Sequence, residues 1–536
     1  MVEMSSFAQN IMSHKYLHEG ETGWRDIAER VVMNVVKPHF PDLVDDMVEM
    51  INNQEFLPGG RYLYASGKPF HQTQNCLLTD VEDSREGWAG LMQRATSGLM
   101  TGAGIGTVYS KLRERDALIK GMGGKSSGPC ALMQMVNESG RHIQQGGSRR
   151  AALWAGLHWW HPDVWEFITL KDWSDEIKAL KEADYNFPAT MDGTNISVIL
   201  DDEFFAAYRD DSHNMHEWAR SLYWTVVEKM LTTGEPGFSV DIGENAGENL
   251  RNACTEITSR DDNDICNLGS LNLANIDTPQ RFARCVELST VFLLCGTLYS
   301  KVPYAEVDTV RTKNRRLGLG LMGVYEWLVK RGYRYGPNPE LGHWMEEYVK
   351  STQIANDYAD RLDITRPVKT RALAPTGTIG ILAGTTTGIE PLFAHATKRR
   401  YLKGTKWHYQ YVIDATAKRL VDQGIQTEML ETAYDLAKDP ERRLAFQAWM
   451  QQYVDHGISS TINLPNPDVY RLDTTEFGET LMNYLPHVRG ITVYPDGARG
   501  GQPLNVVSFE EADGHDGVEY EETGNERACV SGVCGI

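Results

Sequence analysis

Apolar residues recur every three or four positions from Trp24 onward: Trp24, Ile27, Val31 and Val35, then Leu43, Met47 and Ile51. That spacing turns one side of the chain toward a core and predicts helix across 22–52. Residues 86–100 and 129–145 also read as helix, separated by a glycine-rich connection from Gly121 to Gly128. Asn195-Ile196-Ser197-Val198-Ile199-Leu200 changes the pattern to that of a buried strand, with helix predicted after it from Asp201 to Tyr223. Further helices are predicted over 277–300 and 339–362. Strands alternating with long helices predict an α/β architecture with parallel strands. No internal repeat or low-complexity tract precedes the acidic run from Glu510 to Glu526.

Length, charge and cysteine usage narrow the class. A chain of 536 residues can form two or three ordinary domains, or one large α/β barrel with satellite helices. Its hydrophobic content of 41% suffices for a sizeable core. No stretch reads as long and apolar enough to cross a membrane, and the first twenty residues, with His14, Lys15, His18 and Glu19, do not read as a signal peptide. The net charge of −20 argues against a nucleic-acid binder, whose footprint is a basic face. Nucleotide phosphates are still within the means of Lys111, Arg113, Arg149 and Arg150 or of backbone N–H groups; a solvated surface is the competing reading of each. The eight cysteines, Cys76, Cys130, Cys254, Cys266, Cys285, Cys295, Cys529 and Cys534, are too few to be a disulfide framework for so long a chain. The expected compartment is cytoplasmic and reducing, where cysteines are buried, metal-bound or catalytic.

Asn252-Ala253-Cys254-Thr255-Glu256 sets a thiol between an amide and a carboxylate. Alternate side chains of an extended segment share one face, so Asn252, Cys254 and Glu256 can address one hydroxylated carbon: a reactive sulfur, a base and an orienting amide. A buried, inert cysteine is the competing reading. Cys529 and Cys534 follow a stretch with little to bury, where a pair of thiols suits a shuttle that exchanges with a disulfide elsewhere. Zinc ligation competes, although no second ligand pair stands nearby. Pro375-Thr376-Gly377-Thr378 after an apolar run reads equally as a phosphate cradle at a helix start or as an ordinary cap. Gly102-Ala103-Gly104-Ile105-Gly106 lacks the third glycine of a dinucleotide fingerprint at the right place and reads as a close-packed turn.

From about residue 20 to the C-terminus the chain resembles the catalytic subunit of ribonucleotide reductase. The resemblance rests on ordered segments: Gln74-Asn75-Cys76-Leu77-Leu78; Asp83-Ser84; Gly102 to Gly106; Lys111-Leu112-Arg113; Gly146-Gly147-Ser148-Arg149-Arg150-Ala151-Ala152; His161-Pro162-Asp163; Asn252 to Leu273; Arg315 to Gly320; Ala374 to Ile379; and Gly388-Ile389-Glu390-Pro391. It implies a ten-stranded α/β barrel with Cys254 on a central finger loop. The implied organisation is a short helical region over 1–60, the barrel over 61–508 with the effector region at about 76–152, and a flexible tail over 509–536. The implied activity is reduction of ribonucleotides, as diphosphates, to 2′-deoxyribonucleotides. Cys254 would carry a thiyl radical, Glu256 take the 3′-hydroxyl proton and Asn252 hold the intermediate. Cys76 and Cys266 would supply two electrons. Cys529 and Cys534 would renew them, and thioredoxin or glutaredoxin would reset the tail. Thr376, Gly377 and Thr378 would hold substrate phosphates, and Asp83, Ser84, Arg113 and Arg149 a dNTP or ATP effector, in a homodimer. Cys130, Cys285 and Cys295 are read as packing.

The expected radical source is a separate partner subunit, with adenosylcobalamin as the alternative. A separate metal-containing β subunit would deliver the radical through paired tyrosines, and the tail ending in Cys529 and Cys534 favours that class. Val493-Tyr494-Pro495 holds one tyrosine, which favours adenosylcobalamin, with Tyr494 the candidate for radical transfer in either case. No metal set is assigned to this chain. A glycyl-radical enzyme is disfavoured, because Ala498-Arg499-Gly500-Gly501 is a poor match to its loop and leaves the tail thiols unexplained. A non-catalytic nucleotide- or zinc-binding protein explains little beyond the tail. Relatives under overall-activity control carry an N-terminal ATP-cone of roughly ninety residues or more. About twenty residues precede the first family-like helix here, too few for a pocket with its own core. The expectation is that dATP shifts substrate preference by a coupling of ~1–3 kcal/mol without shutting the enzyme off. Reduction of all four substrates across a dATP titration checks this, and collapse of every activity would refute it.

Overall fold

Proline and local side-chain hydrogen bonds divide the long helical patterns into shorter pieces. The computed structural model describes residues 4–121, 123–143, 151–184, 187–403, 406–498 and 504–521. The pattern over 22–52 becomes two helices, Trp24–Val35 and Val44–Asn52. Pro38 and Pro41 lie between them, and Pro41 opens a 3-10 turn where its missing N–H costs nothing. The pattern over 201–223 becomes Asp202–Arg209 and His216–Thr232. At the break the Asp210 carboxylate accepts from Ser212 N and Ser212 Oγ, an alternative to continuing the helix. Pro339–Val349 and Ser351–Arg361 are likewise separate.

Six strands come first: β1 (Phe56–Pro58), β2 (Cys76–Asp80), β3 (Gly104–Val108), β4 (Leu153–His158), β5 (Thr194–Asp201) and β6 (Gly237–Asp241). A hairpin of β7 (Leu250–Arg251) and β8 (Thr258–Ser259) follows, then β9 (Asp264–Asn272) and β10 (Leu317–Met322). The remainder are β11 (Ala396–Lys403), β12 (Lys406–Ile413), β13 (Thr461–Leu464), β14 (Gly490–Pro495), β15 (Leu504–Val507) and β16 (Glu519–Glu521). Ten of these form one sheet in the order β1-β9-β2-β3-β4-β5-β6-β14-β13, with β10 also on β9. Its strand number is the one the family resemblance implied. The strands are not all parallel, as alternation alone had suggested. β2 through β6 run parallel, but the junctions β2–β9 and β6–β14 are antiparallel, so two sets of strands run in opposite senses. Isolated bridges lead on from β10, Leu319 to Arg371 and Leu373 to Ile458, toward the residues before β13.

The two faces of the sheet bury different partners. Leu77, Ile105 and Val198 pack with helical residues such as Leu91, Leu99 and Val226. Leu78, Val108 and Ile199, an odd number of positions along in each strand, pack instead with Leu250 and Ile257 of the hairpin. Period-two alternation thus gives an outer core and an inner one that holds the hairpin. The N-terminal helices share a core with Pro279–Tyr299 through Ile27, Val31, Ile51 and Leu293, and β1 joins the sheet, so residues 4–60 are continuous with the rest. Past the expected boundary at 508, Phe509–Ala512 is helical and β16 pairs with β12. Contrary to the sequence expectation, one helix, Pro279–Tyr299, is long and apolar enough to cross a membrane. In the fold 72% of that stretch is buried, because it is apolar on all sides and surrounded by protein.

The glycines of 102–106 do not form a turn. Gly102, at φ +98°, caps the helix Arg85–Thr101, a conformation that favours glycine. Gly106 lies in β3 beneath the hairpin, where an added Cβ would stand 1.8 Å from the carbonyl oxygen of Arg251. That is backbone, which cannot swing aside. Gly106→Ala is expected to destabilise the fold by about 1–3 kcal/mol or more and to displace the hairpin; urea denaturation and turnover measured on the same variant check this.

Candidate active site

The hairpin carries Cys254 at its tip. Leu250 pairs with Ser259 and Arg251 with Thr258. Between them the chain makes a tight turn, with Thr255 N donating to Asn252 O at 3.0 Å and Thr255 at φ +68°. The segment is not extended, so Asn252, Cys254 and Glu256 are not brought together by strand alternation. The turn does that. Asn252 Oδ1 accepts from Ile257 N at 3.0 Å across the loop, which closes it from inside.

Cys76 and Cys266 stand directly opposite each other in the antiparallel β2–β9 register. Opposed residues in such a ladder have Cα atoms about 4.5–5.5 Å apart, within the span a disulfide bridges. Both thiols are reduced and buried. Burial, then Glu256 and the other two thiols, pushes the Cys76 pKa well up. Burial, then Asp264, does the same for Cys266, which donates to the carbonyls of Asn267 and Arg316 at 3.3 and 3.4 Å. Cys76 Sγ donates to Glu256 Oε1 at 3.9 Å. Glu256 is fully buried, and burial pushes its carboxyl up to about 7 against hydrogen bonds from its own backbone, Asn252 and Cys76. Its Oε2 has no partner. A buried acceptor without a donor is costly, and here a bound hydroxyl group would satisfy it. The five residues singled out as an active site thus converge.

Sequence reasoning missed the polar cluster under the hairpin. The buried Glu248 carboxylate pairs with Lys369, with Arg316 at 3.4 Å and with Arg489 at 3.8 Å, and accepts from Thr258 Oγ1 at 3.0 Å. Arg316 also pairs with Asp264 at 2.6 Å. His456 Nδ1 accepts from Thr258 N at 3.1 Å. Burial, reinforced by Arg316, Lys369, Arg489 and Arg251, keeps His456 neutral by lowering its pKa well below the usual value. Gly457 N donates to Glu256 O at 2.7 Å, tying this segment to the Cys254 turn. Arg315-Arg316 had been noticed only as a motif; nothing in the local sequence marks Glu248, Lys369 or His456.

A cavity of about 520 Å³ opens over the turn, lined by Ala253, Cys254 and Thr255 together with Trp154, Asn195, Ser197, Pro375, Glu390, Phe393, Asn463 and Tyr494 among others. Tyr494, on β14, therefore shares a wall with Cys254. Thr376, in the left-handed region at φ +52°, starts the helix Gly377–Ala383, and its Oγ1 accepts from Gly388 N at 2.8 Å. A Cβ at Gly377 would meet nothing within 4 Å, so the backbone there is uncrowded. The expected effector residues lie elsewhere. Ser84 caps the helix Arg85–Thr101, and Asp83 pairs with Arg113 at 2.7 Å. Arg149, Cys529 and Cys534 fall outside the described residues. Cys130, Cys285 and Cys295 are buried, as packing requires.

The model of the family described as "Ribonucleotide reductase, barrel domain" matches residues 74–216, 214–348 and 366–482. The chain is 28% identical over 527 residues to the vitamin B12-dependent ribonucleoside-diphosphate reductase of Thermoplasma acidophilum, covering 86% of this chain and 66% of that one. Its counterpart of the same name in Mycobacterium tuberculosis is 27% identical, with 86% and 71% covered. A putative adenosylcobalamin-dependent ribonucleoside-triphosphate reductase of Mycobacterium phage D29 is 26% identical, with 85% and 75% covered. The chain thus spans about two thirds of the length of the first relative. With its family model matched over most of its length, the chain belongs to the ribonucleotide reductase family.

Proposed function

We propose that this chain reduces ribonucleotides, as diphosphates, to 2′-deoxyribonucleotides through a radical on Cys254, with adenosylcobalamin as the radical source. The observation that carries the reaction is the convergence of Cys254, Glu256 and Asn252 on one turn backed by the facing thiols of Cys76 and Cys266. Two observations favour adenosylcobalamin over a β subunit. The relatives described above carry vitamin B12 or adenosylcobalamin in their names, and Tyr494 is flanked by Val493 and Pro495 rather than by a second tyrosine. The cavity suits a nucleoside: Asn195, Ser197, Ser459, Asn463 and Thr492 offer amides and hydroxyls, and Trp154, Phe393 and Tyr494 offer rings.

Adenosylcobalamin, when bound, supplies a carbon-centred radical. The rest is done by the chain's own residues. The Cys254 sulfur, as a thiyl radical, takes the 3′ hydrogen of the substrate, while Glu256, in its ionised form, accepts the 3′-hydroxyl proton through Oε2. Asn252 holds the oxygen. The 2′-hydroxyl leaves as water and hydrogen takes its place on the 2′ carbon; Cys76 and Cys266 supply the two electrons and two protons this needs and become a disulfide, Glu256 gives its proton back to the 3′ oxygen, and Cys254 returns the hydrogen to the 3′ carbon. Thr376, Gly377 and Thr378 take the phosphates at an uncrowded helix start. Cys529 and Cys534 reduce the disulfide by exchange, and a thioredoxin-like protein renews them. Asp83, Ser84, Arg113 and Arg149 receive a nucleotide effector, for which the Asp83–Arg113 pair must open.

With adenosylcobalamin, a dithiol and no second protein, the purified chain is expected to form deoxynucleotide; absence of product there, with product on adding a metal-containing subunit, would refute the radical source. Cys254→Ser should abolish turnover with nucleotide binding unchanged, and substantial product from it would refute the radical site.

Glu256 gives a pH signature. Since its ionised form is the base, turnover should rise with pH to a plateau above about 7. Glu256→Gln should slow turnover about 10²–10⁴-fold and remove that limb. Stability runs the other way, because the folded state holds the proton more tightly than the unfolded chain. The contribution is fully present below the ordinary value of 4.5 and lost as pH rises to about 7. Above that pH, Glu256→Gln should therefore be more stable than the parent by on the order of 3 kcal/mol, a difference that urea denaturation at pH 5 and pH 8 would show or exclude.

A further inference from the structure

The cavity over Cys254 contains two carboxylates and, among the described residues, no cationic side chain on its lining. Both carboxylates are held from behind by buried cations. Glu235 pairs with Lys171 at 2.6 Å and accepts from Ile196 N at 3.1 Å. Glu390 accepts from Thr461 N through Oε1 at 2.8 Å and pairs through Oε2 with Arg443, whose side chain is 1% exposed. Arg443 is fixed in turn by the carbonyl oxygen of Thr461 at 2.9 Å. Each Glu390 oxygen has a second acceptor direction left after these bonds, and the side chain is 21% exposed. The result is a rigid, charge-paired acceptor on the cavity wall.

A wall of this kind discriminates by charge. A phosphate brought beside Glu235 and Glu390 meets two carboxylates and no cation, whereas a ribose or a purine amino group brings donors that a carboxylate binds through charge-assisted hydrogen bonds.

We propose that Glu390, positioned by Arg443 and Thr461, is a specificity-determining residue that accepts the ribose hydroxyls of the 5′-deoxyadenosyl group of the radical source. This rests on the reading of the cavity as a nucleotide-reducing site in which Glu256 and Asn252 take the substrate's 3′-hydroxyl, which leaves the second carboxylate to the second ribose.

The test is equilibrium binding, which needs no turnover. Glu390→Gln alone leaves the buried Arg443 unpaired and risks the fold, so the main variant is Glu390→Gln with Arg443→Met, checked for folding by circular dichroism and thermal melting. Its affinity for 5′-deoxyadenosine is compared with that for the corresponding 2′,3′-dideoxy compound. The parent should prefer the hydroxyl-bearing member by about tenfold or more, the worth of hydrogen bonds to a charged group. The variant should lose that preference while binding the dideoxy member as before. A preference for ADP over its 2′,3′-dideoxy form should persist in the variant, because Glu256 and Asn252 hold that ribose; loss of the ADP preference alone would overturn the assignment. An equal preference in parent and variant, or no preference in the parent, overturns the proposal. Turnover with adenosylcobalamin is measured separately on the parent, so failure of the proposed activity is distinguishable from failure of Glu390 as the ribose acceptor.

Discussion

The hairpin that carries Cys254 depends on the buried Glu248 carboxylate. Residues from four distant parts of the chain meet on it: Thr258 of the hairpin, Arg316 before β10, Lys369 beside the β10 bridges and Arg489 before β14. Burial alone would raise its pKa; the three cations outweigh that and hold it below the usual carboxylate value. Removing one partner from such a buried set costs about 3–5 kcal/mol, because the remaining charges stay desolvated. Two short strands of two residues each could not hold a reactive tip in place by their own ladder. The charges beneath them and the close approach to Gly106 do so.

The same burial that makes the hairpin rigid sets its chemistry. Cys76, Cys266 and Glu256 are all shielded from water, and desolvation disfavours the charged form of each. For the thiols that means a neutral, hydrogen-bearing sulfur, suited to giving up hydrogen atoms and electrons rather than to reacting as a free thiolate. For Glu256 it means a carboxyl that exchanges its proton near neutrality. Cys254 alone of these thiols reaches the cavity. The three thiols thus differ in access: Cys254 is half-buried at the cavity, and Cys76 and Cys266 are buried within the sheet.

The cavity is likewise organised by what lies behind its wall. Lys171 and Arg443 do not line it, yet they fix the two carboxylates that do.

Much of the site was legible in short segments. Cys76, Asn252, Cys254, Glu256 and Cys266 could be named because each sits in a recognisable stretch, and the helices 86–100, 129–145 and 277–300 because their periods are long and regular. Breaks at 36–43 and 210–215 were not foreseen, since they depend on where prolines and an aspartate turn outcompete an otherwise continuous apolar stripe. The supposed extended presentation of residues 252–256 proved to be a turn, and the supposed turn at 102–106 a helix cap and a strand. In both places the local composition suits either conformation, and packing against the other element decides: Gly106 is in a strand because Arg251 lies on it. The antiparallel junctions of β2 with β9 and β6 with β14, the facing of Cys76 and Cys266, the Glu248 cluster and the Arg443 support of Glu390 join residues up to 241 positions apart. The chain alone specified which chemical groups were present and which side of each element was apolar. Their convergence was decided only by tertiary packing, because a buried charge or thiol takes its properties from neighbours that no local stretch of sequence contains.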